Sequence, residues 1–491
     1  MAAVGLMVCV VWAPLPLASN RPWAQGLLAM ALWLLVLIYL GGATLGGHAR
    51  FRGRLKHAAL LLASIAGFAL LIAAQLVSPS HAAAWLHTAD AYQSKIYLLT
   101  TLMHFAAALL VVLCMDTAER ASRLLAVVVG AGVLQAVVAV GLYSTGASYQ
   151  YMFLTFDQGG RATGTFANPD HLAGYMELCL AAGLGLMLAQ FGGSASPARD
   201  WRQRTVLALS FLMSGKMLLR LTLVVMVVAL VMTHSRMGNG AFFLALLLVG
   251  SIVATVSHHL RRPALWLVAS MVLIDVIVIG QWVGLDRVVE RLEDTAQSTT
   301  KDATVFGPGS VTPPPKREES IQDRLQVPRL SLPLLARQPW FGHGGGTYYL
   351  SFAQVKPAGF PYLWDHAHND FVEVAADTGL VGLGLLLAAA TATAWRATCM
   401  LKDAEPRLKR GVGAAALMAL VCMGLHSMVD FNLQIPANAM TLVVLMALVW
   451  ALPAITTAAT ARPETSDLSQ TQTREGRTHG RQPPPADLLP N

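Results

Sequence analysis

Residues 217–257 read MLLRLTLVVMVVALVMTHSRMGNGAFFLALLLVGSIVATVS. Two apolar runs, 217 to 234 and 238 to 257, flank a turn of a few residues that holds His234, Ser235 and Arg236. Coiled as a helix, each run crosses about 30 Å of hydrocarbon, so the stretch is read as two transmembrane helices joined by a tight turn. A charge at membrane depth costs roughly 2.5 to 3.5 kcal/mol on insertion scales. Arg236 is therefore retained for a partner or a substrate, or its guanidinium snorkels to headgroups.

The same pattern recurs near residues 3 to 18, 23 to 42, 58 to 77, 97 to 115, 124 to 143, 170 to 191, 264 to 284, 370 to 395, 411 to 430 and 438 to 456, which makes twelve expected helices. Of the 491 residues 55% are hydrophobic and only 13% charged, which sets the chain apart from soluble domains. The net charge of +8 does not point to nucleic acid, because the basic residues sit in short clusters between apolar runs. With a cytoplasmic N-terminus, the inner connections collect Arg50 to Lys56, Arg120 and Arg123, Arg199 to Arg204, Arg261 and Arg262, and Lys402 to Arg410. The short outer connections hold only Arg21, Lys95, Arg161 and Arg236, so both termini are expected to be cytoplasmic. Cys9, Cys114, Cys179, Cys399 and Cys422 all lie away from the oxidising side, and no disulfide framework is expected. Met1 to Asn20 lacks a basic leader and is interrupted by Pro14 and Pro16, so it reads as a short first helix rather than a signal peptide.

The expected fold is an all-α polytopic membrane protein of about 12 transmembrane helices. Helices 1 to 9 occupy residues 1–284, a long periplasmic loop with helical segments occupies 285–369, helices 10 to 12 occupy 370–456, and a disordered cytoplasmic tail follows over 457–491. Lys216 and Arg220 interrupt the stretch 205 to 221 and suggest an interfacial helix there. Within the loop, the Ser, Thr, Gly and Pro stretch around 297 to 315 is expected to be mobile. Residues 320 to 369 carry enough aromatic surface, including Trp340, Tyr348 and Trp364, to dock on the membrane domain.

This topology gathers four polar clusters at one membrane face. The first is Gly159 to Arg161 with Gly164 to His171, where Asn168 and Pro169 mark a helix start whose backbone donors suit an anion, or simply a capped helix beside a surface arginine. The second is His234 to Arg236; arginine suits a phosphate because its planar fork donates two hydrogen bonds and stays ionised. The third is Arg324, Arg329 and Arg337, of which the last two read as a solvated helix face. The fourth is Asp365, His366, His368, Asn369 and Asp370. A histidine there can act as a general base toward a hydroxyl; a zinc site and a plain helix cap are the alternatives.

In this order the clusters resemble the O-antigen ligase and O-antigen polymerase superfamily, membrane glycosyltransferases that use undecaprenyl-diphosphate-linked glycans. The resemblance rests on Gly164–Gly174 (GTFANPDHLAG), His234–Gly238 (HSRMG), Arg324 with Pro339–Gly346 (PWFGHGGG), His366–Leu380 (HAHNDFVEVAADTGL) and His426–Ala439 (HSMVDFNLQIPANA). The last stretch looks most like the exopolysaccharide and O-antigen polymerase branch. Two departures stand out: Pro328 where many relatives carry a Trp, and Asp170 in place of a commoner Asn.

The resemblance implies that Arg236 and Arg324 bind the diphosphate and His368 is the catalytic base. Arg161, His366, Asn369, Asp365 and His234 are the further substrate-binding candidates, with Asn369 or Asp365 orienting the His368 ring. It also implies a multi-pass protein of the bacterial inner membrane with a periplasmic site. The expected partners are the lipid-linked donor, a glycan acceptor, membrane lipid and polysaccharide export or chain-length proteins. No cofactor or metal is implied, and the chain lacks an Asp-x-Asp motif. A ligase acting on lipid A core or protein shares the donor chemistry. A lipid-linked sugar transporter is the rival class, and the lack of an internal repeat argues against it.

Overall fold

The structure, a computed structural model, describes residues 1–44, 49–77, 86–151, 154–156, 160–190, 214–257, 261–262, 265–266, 268–273, 321–358, 360, 363–402 and 407–460. The helices begin where the sequence offers caps. Asp90 accepts from the backbone of Tyr92 and Gln93, Thr117 from Arg120, Asn168 from Asp170, Ser214 from Met217, Ser235 from Gly238 and Asn369 from Val372.

The elements are α1 (Ala2–Trp12), α2 (Pro22–Thr44), α3 (Ala49–His57), α4 (Ala59–Val77), α5 (Ala91–Cys114) and α6 (Ala118–Thr145), then a hairpin of β1 (Tyr149–Tyr151) and β2 (Leu154–Phe156). After these come α7 (Pro169–Ala189), α8 (Gly215–Met232), α9 (Arg236–Val256), α10 (Ile321–Leu330), α11 (Leu332–Arg337), α12 (Tyr348–Ala353), α13 (Asp370–Met400), α14 (Arg407–His426) and α15 (Pro436–Thr460). Among the described residues nine helices (α2, α4 to α9, α13 and α14) are long and apolar enough to cross a membrane, and α1 and Pro436–Leu452 are shorter apolar helices. The all-α polytopic reading holds. Of the twelve expected windows, 264 to 284 lies largely outside the described residues, as do 285–320, including the stretch 297 to 315, and the tail from 461.

One expectation is corrected. Lys216 and Arg220 belong to the first turns of the span-length α8, not to a separate surface helix, while 205–213 fall outside the described residues. A cation near the end of a span reaches the headgroups through its alkyl stem, so it need not end the helix.

The bundle is centred on α7, whose residues from Asp170 to Leu188 are all buried. Helix α14 runs beside it at van der Waals distance. A Cβ placed on Gly185 would lie 2.4 Å from the Gly411 carbonyl oxygen, and one on Gly411 would lie 2.4 Å from that of Gly185. Small residues at a crossing let two backbones approach, which in lipid is the main source of helix association. At the periphery, Leu27, Met30, Leu34 and Leu37 of α2 are exposed, the expected pattern for a lipid-facing helix.

Helix α13 is broken. Gly379 has φ +67°, and the chain around Pro339–Gly346 fills the gap. Leu380 and Val381 donate to the carbonyls of Pro339 and Trp340 at 2.8 and 3.1 Å, and His343 and Gly344 donate to those of Ala376 and Asp377 at 2.9 and 2.8 Å. Gln75 of α4 completes the joint, donating to the Phe341 and Asp377 carbonyls and accepting from the Gly345 amide. Irregular backbone is tolerated at such depth only when protein satisfies it, and here the glycine-rich stretch does so. Above this joint lies a second small core of Val327, Leu334, Tyr348, Phe352, Trp364, Ala367 and Ala376. It fastens α10, α11 and α12 to the start of α13 and meets the expectation that the aromatic loop docks, although Trp340 itself is exposed.

Candidate functional site

The first two turns of α7 are where the first, second and fourth polar clusters meet. Asn168 caps the helix and Pro169 opens it, as the sequence suggested. The negative charge at this helix start comes from the protein itself. Asp170 accepts from Arg161 Nη2 at 2.6 Å, while Arg161 Nε donates to the Thr233 carbonyl at 2.8 Å. The Ala162 amide adds a bond to the Met232 carbonyl at 2.9 Å. Arg161 therefore ties the end of α8 to the start of α7, one side chain away from His234 and Arg236.

The turn between α8 and α9 is held in a fixed shape. His234 has φ +52°, its ring lies edge-on to Tyr143 with centroids 6.1 Å apart, and Ser235 Oγ accepts from the Gly238 amide. A Cβ on Gly238 would lie 2.6 Å from that of Ala173, so α9 starts against the second turn of α7. Arg236 is exposed at the first position of α9. A guanidinium beside a helix N-terminus adds its charge to the positive end of the helix dipole, a combination that attracts an anion.

Arg324 lies on α10, and its side chain is outside the described residues. Pro328 is accommodated within this helix, near its C-terminal end; the amide it lacks would have bonded the Arg324 carbonyl. Val327, one turn on from Arg324, is buried with Trp364 and Ala367, and these flank the two loop histidines.

At the start of α13, Asn369 accepts from Val372 N at 3.0 Å and donates to the Met428 carbonyl at 2.8 Å. Asp370 accepts from Ser427 Oγ at 2.7 Å, Leu433 N at 3.0 Å and Gln434 Nε2 at 3.3 Å. Both side chains thus stitch α13 to the α14–α15 turn. Asn369 spends its amide on that task, and Asp365 is exposed.

The carboxylate beside His368 is Asp430, whose Oδ1 lies 3.6 Å from Nδ1. His368 is buried, with φ +48°. Asp430 also faces His171 Nε2 at 4.0 Å and His426 Nε2 at 3.9 Å, so three imidazoles surround one carboxylate. Phe431 holds the rings in place: His366 stacks on it with centroids 4.0 Å apart, and His171 and His368 meet it edge-on at 4.6 and 4.9 Å. Trp364 closes the other side of His368 at 5.4 Å.

His366 is set apart from His368 by its partner. Its Nδ1 lies 2.7 Å from Glu373 Oε1, and Glu373 Oε2 accepts from the Ala367 amide. Burial opposes protonation of His366, but the Glu373 charge and hydrogen bond outweigh it and raise its pKa to about 9. A ring that is protonated at neutral pH cannot take a proton there. The two histidines of the HAH stretch therefore have different capacities, with His366 cationic and Asp430 beside His368.

Among the described residues, no group of three or more His, Cys, Asp or Glu is arranged to hold a metal ion. No role was expected of Asp430, Phe431, His171, His426 or Glu177, although His171 stands in the first polar cluster and His426, Asp430 and Phe431 stand in the last resembling stretch. Glu177 lay outside both, and its signal is a lone carboxylate in an apolar run.

A search of curated proteins gives no match. A family model does match, over a segment that runs from α8 to the middle of α13 and includes Arg236, Arg324, His366 and His368 but not Glu177, His426 or Asp430. That match, to the O-antigen ligase family over residues 221–387, supports the resemblance to the superfamily of O-antigen ligases and polymerases across that part of the chain.

Proposed function

We propose that the protein is a polysaccharide polymerase that transfers an undecaprenyl-diphosphate-linked glycan onto a sugar hydroxyl of an acceptor glycan, at the periplasmic face of the bacterial inner membrane. The observation that carries this reading is the shared start of α7, whose first two turns touch the Arg236 turn through Arg161 and Ala173 and the His368 site through His171. A phosphate-binding cation and a buried imidazole are thereby braced by one rigid element, as a transfer between two bound substrates requires.

The donor's anomeric carbon carries a diphosphate, a good leaving group once its growing charge is balanced. Arg236 and Arg324 bind it and stabilise that charge as the bond to carbon breaks. His368 accepts the proton of the attacking hydroxyl through Nε2, because Nδ1 faces Asp430, which favours the tautomer with its hydrogen on Nδ1. Asp430 then stabilises the imidazolium. His366, held positive by Glu373, adds a second cation near the developing negative charge. Neither step calls on a metal.

The description of the matching family as O-antigen ligase favours a second reading, transfer of a finished glycan onto lipid A core or a protein. Incubating the purified protein with a defined undecaprenyl diphosphate oligosaccharide and sizing the products separates the two. A ladder supports polymerisation; a single addition, seen only when lipid A core is supplied, replaces it with ligation; and no transfer to either acceptor refutes both.

A further inference from the structure

We propose that Glu177 and His426 are positioning residues for the transfer reaction, holding Asp430 in place behind the His368 ring. The inference rests on the reading of His368 as the base. Glu177 lies two turns into α7 with no solvent exposure, and an ionisable group inside a span is expensive unless it serves a partner. Its partner is far away in sequence: His426 Nδ1, at the end of α14, lies 2.8 Å from Glu177 Oε1. The opposite nitrogen of that ring, Nε2, is 3.9 Å from Asp430 Oδ2, and Asp430 Oδ1 is 3.6 Å from His368 Nδ1. Ring and carboxylate thus alternate from His368 through Asp430 and His426 to Glu177.

An imidazole with a carboxylate at each nitrogen is held best when both nitrogens carry protons, since both are then donors. In that state Glu177 orients His426, and His426 presents a donor to Asp430. The other charged groups of the cluster have their own partners. Asp170 is taken by Arg161, Asp370 by Ser427, Leu433 and Gln434, and Glu373 by His366 and the Ala367 amide; His171 faces Asp430 from α7. A buried ion pair is weak support for stability, because apolar side chains of similar volume usually serve as well. What assigns this pair a role in the reaction is its place, one carboxylate away from the base.

The test uses the full-length protein in lipid nanodiscs with an undecaprenyl diphosphate oligosaccharide as donor. The variants are Glu177→Gln, His426→Asn and, as reference, His368→Ala. In His426→Asn the amide nitrogen takes the place of Nδ1 and keeps the Glu177 contact, while nothing replaces Nε2 toward Asp430. We expect kcat to fall about tenfold or more in both Glu177→Gln and His426→Asn, with KM for donor and acceptor within about twofold. In His426→Asn the acidic limb of the kcat/KM profile moves to higher pH by about half a unit or more, because a cation that opposed protonation of the base has gone. A purely structural pair would leave the profile of the folded fraction unchanged. If His368→Ala is inactive while Glu177→Gln and His426→Asn keep the wild-type kcat and profile, the inference is overturned and the base reading stands. If His368→Ala remains active, the base reading fails and takes this inference with it. Should His426→Asn fail to fold, a wild-type kcat in Glu177→Gln alone overturns the proposal.

Discussion

Replacing Asp430 with Asn removes one charge and almost no volume. The carboxylate lies 3.6 Å from His368 Nδ1 and is buried. At an effective dielectric constant of about 20, a full imidazolium at that distance gains roughly 4.6 kcal/mol from it. If the ring carries about half a charge in the transition state, the loss is about 2.3 kcal/mol, or roughly 50-fold in kcat. The Asn amide can also donate to Nδ1 and impose the wrong tautomer; in a serine protease that change costs about 10⁴ in kcat, so 50-fold is the lower bound. The donor diphosphate does not touch Asp430 in the proposed reaction, so KM should stay within about twofold. Initial rates of glycan transfer by purified Asp430→Asn protein, at saturating donor and acceptor, measure this directly. A kcat within about twofold of wild type, from a variant with wild-type thermal stability, refutes the orienting role.

Arg236→Ala and Arg324→Ala should each abolish chain growth while leaving folded protein in the membrane, and Arg236→Lys should recover only part of the activity because lysine lacks the planar fork; near-normal product from both alanine variants would remove the diphosphate role. The His366–Glu373 pair makes a pH-dependent contribution to stability. Since the folded-state pKa of about 9 lies above the ordinary 6.5, that contribution is full below about pH 6.5 and is lost as pH rises through about 9. The thermal midpoint in detergent should therefore fall between about pH 7 and 10 in the wild type and stay flatter in His366→Gln, and parallel curves would contradict the assignment. Gly379→Ala should destabilise by about 2 to 4 kcal/mol, because a Cβ there would lie 2.2 Å from the Trp340 carbonyl carbon at a φ of +67°; a thermal midpoint equal to wild type would disprove it. Transfer should survive a chelator, and loss of activity that zinc restores would favour the metal reading of the HAH stretch.

The spans were legible because hydropathy over a window is a collective signal that no single residue can spoil. Even Lys216 and Arg220 do not end α8. The caps Asn168 and Asn369 were legible for the opposite reason, since each acts within three residues of itself. What stayed hidden was whatever depends on two distant stretches meeting. Nothing near Arg161 announces that Asp170 and Thr233 share its guanidinium, and nothing near His368 announces Asp430. The break at Gly379 was hidden too, because a glycine within a helical stretch usually leaves the helix intact; only the docked Pro339–Gly346 segment turns it into a break.

Backbone conformation adds an argument for where the site lies. Among the described residues five non-glycine residues have positive φ, and three of them, Leu17, Ala18 and Ser19, form one tight turn near the N-terminus. The other two are His234 and His368. A left-handed residue of this kind costs on the order of 1 to 3 kcal/mol and persists only where its surroundings dictate it. At His234 the surroundings are the Ser235 cap and the Tyr143 ring; at His368 they are Ala367 in the small core, Trp364, Phe431 and the Asn369 cap. Both strained residues are adjacent to helix N-caps, so each side chain is aimed by a rigid helix rather than by a loop. His368, the proposed base, directly precedes the cap of α13, and the break of that helix grips the segment that follows α10 and α11, so the helix bearing Arg324 and His368 are fixed to the same support. A fold that only needed to be stable would gain nothing from this strain, whereas a site that must hold an imidazole and guanidinium groups to within about half an ångström gains its geometry from it.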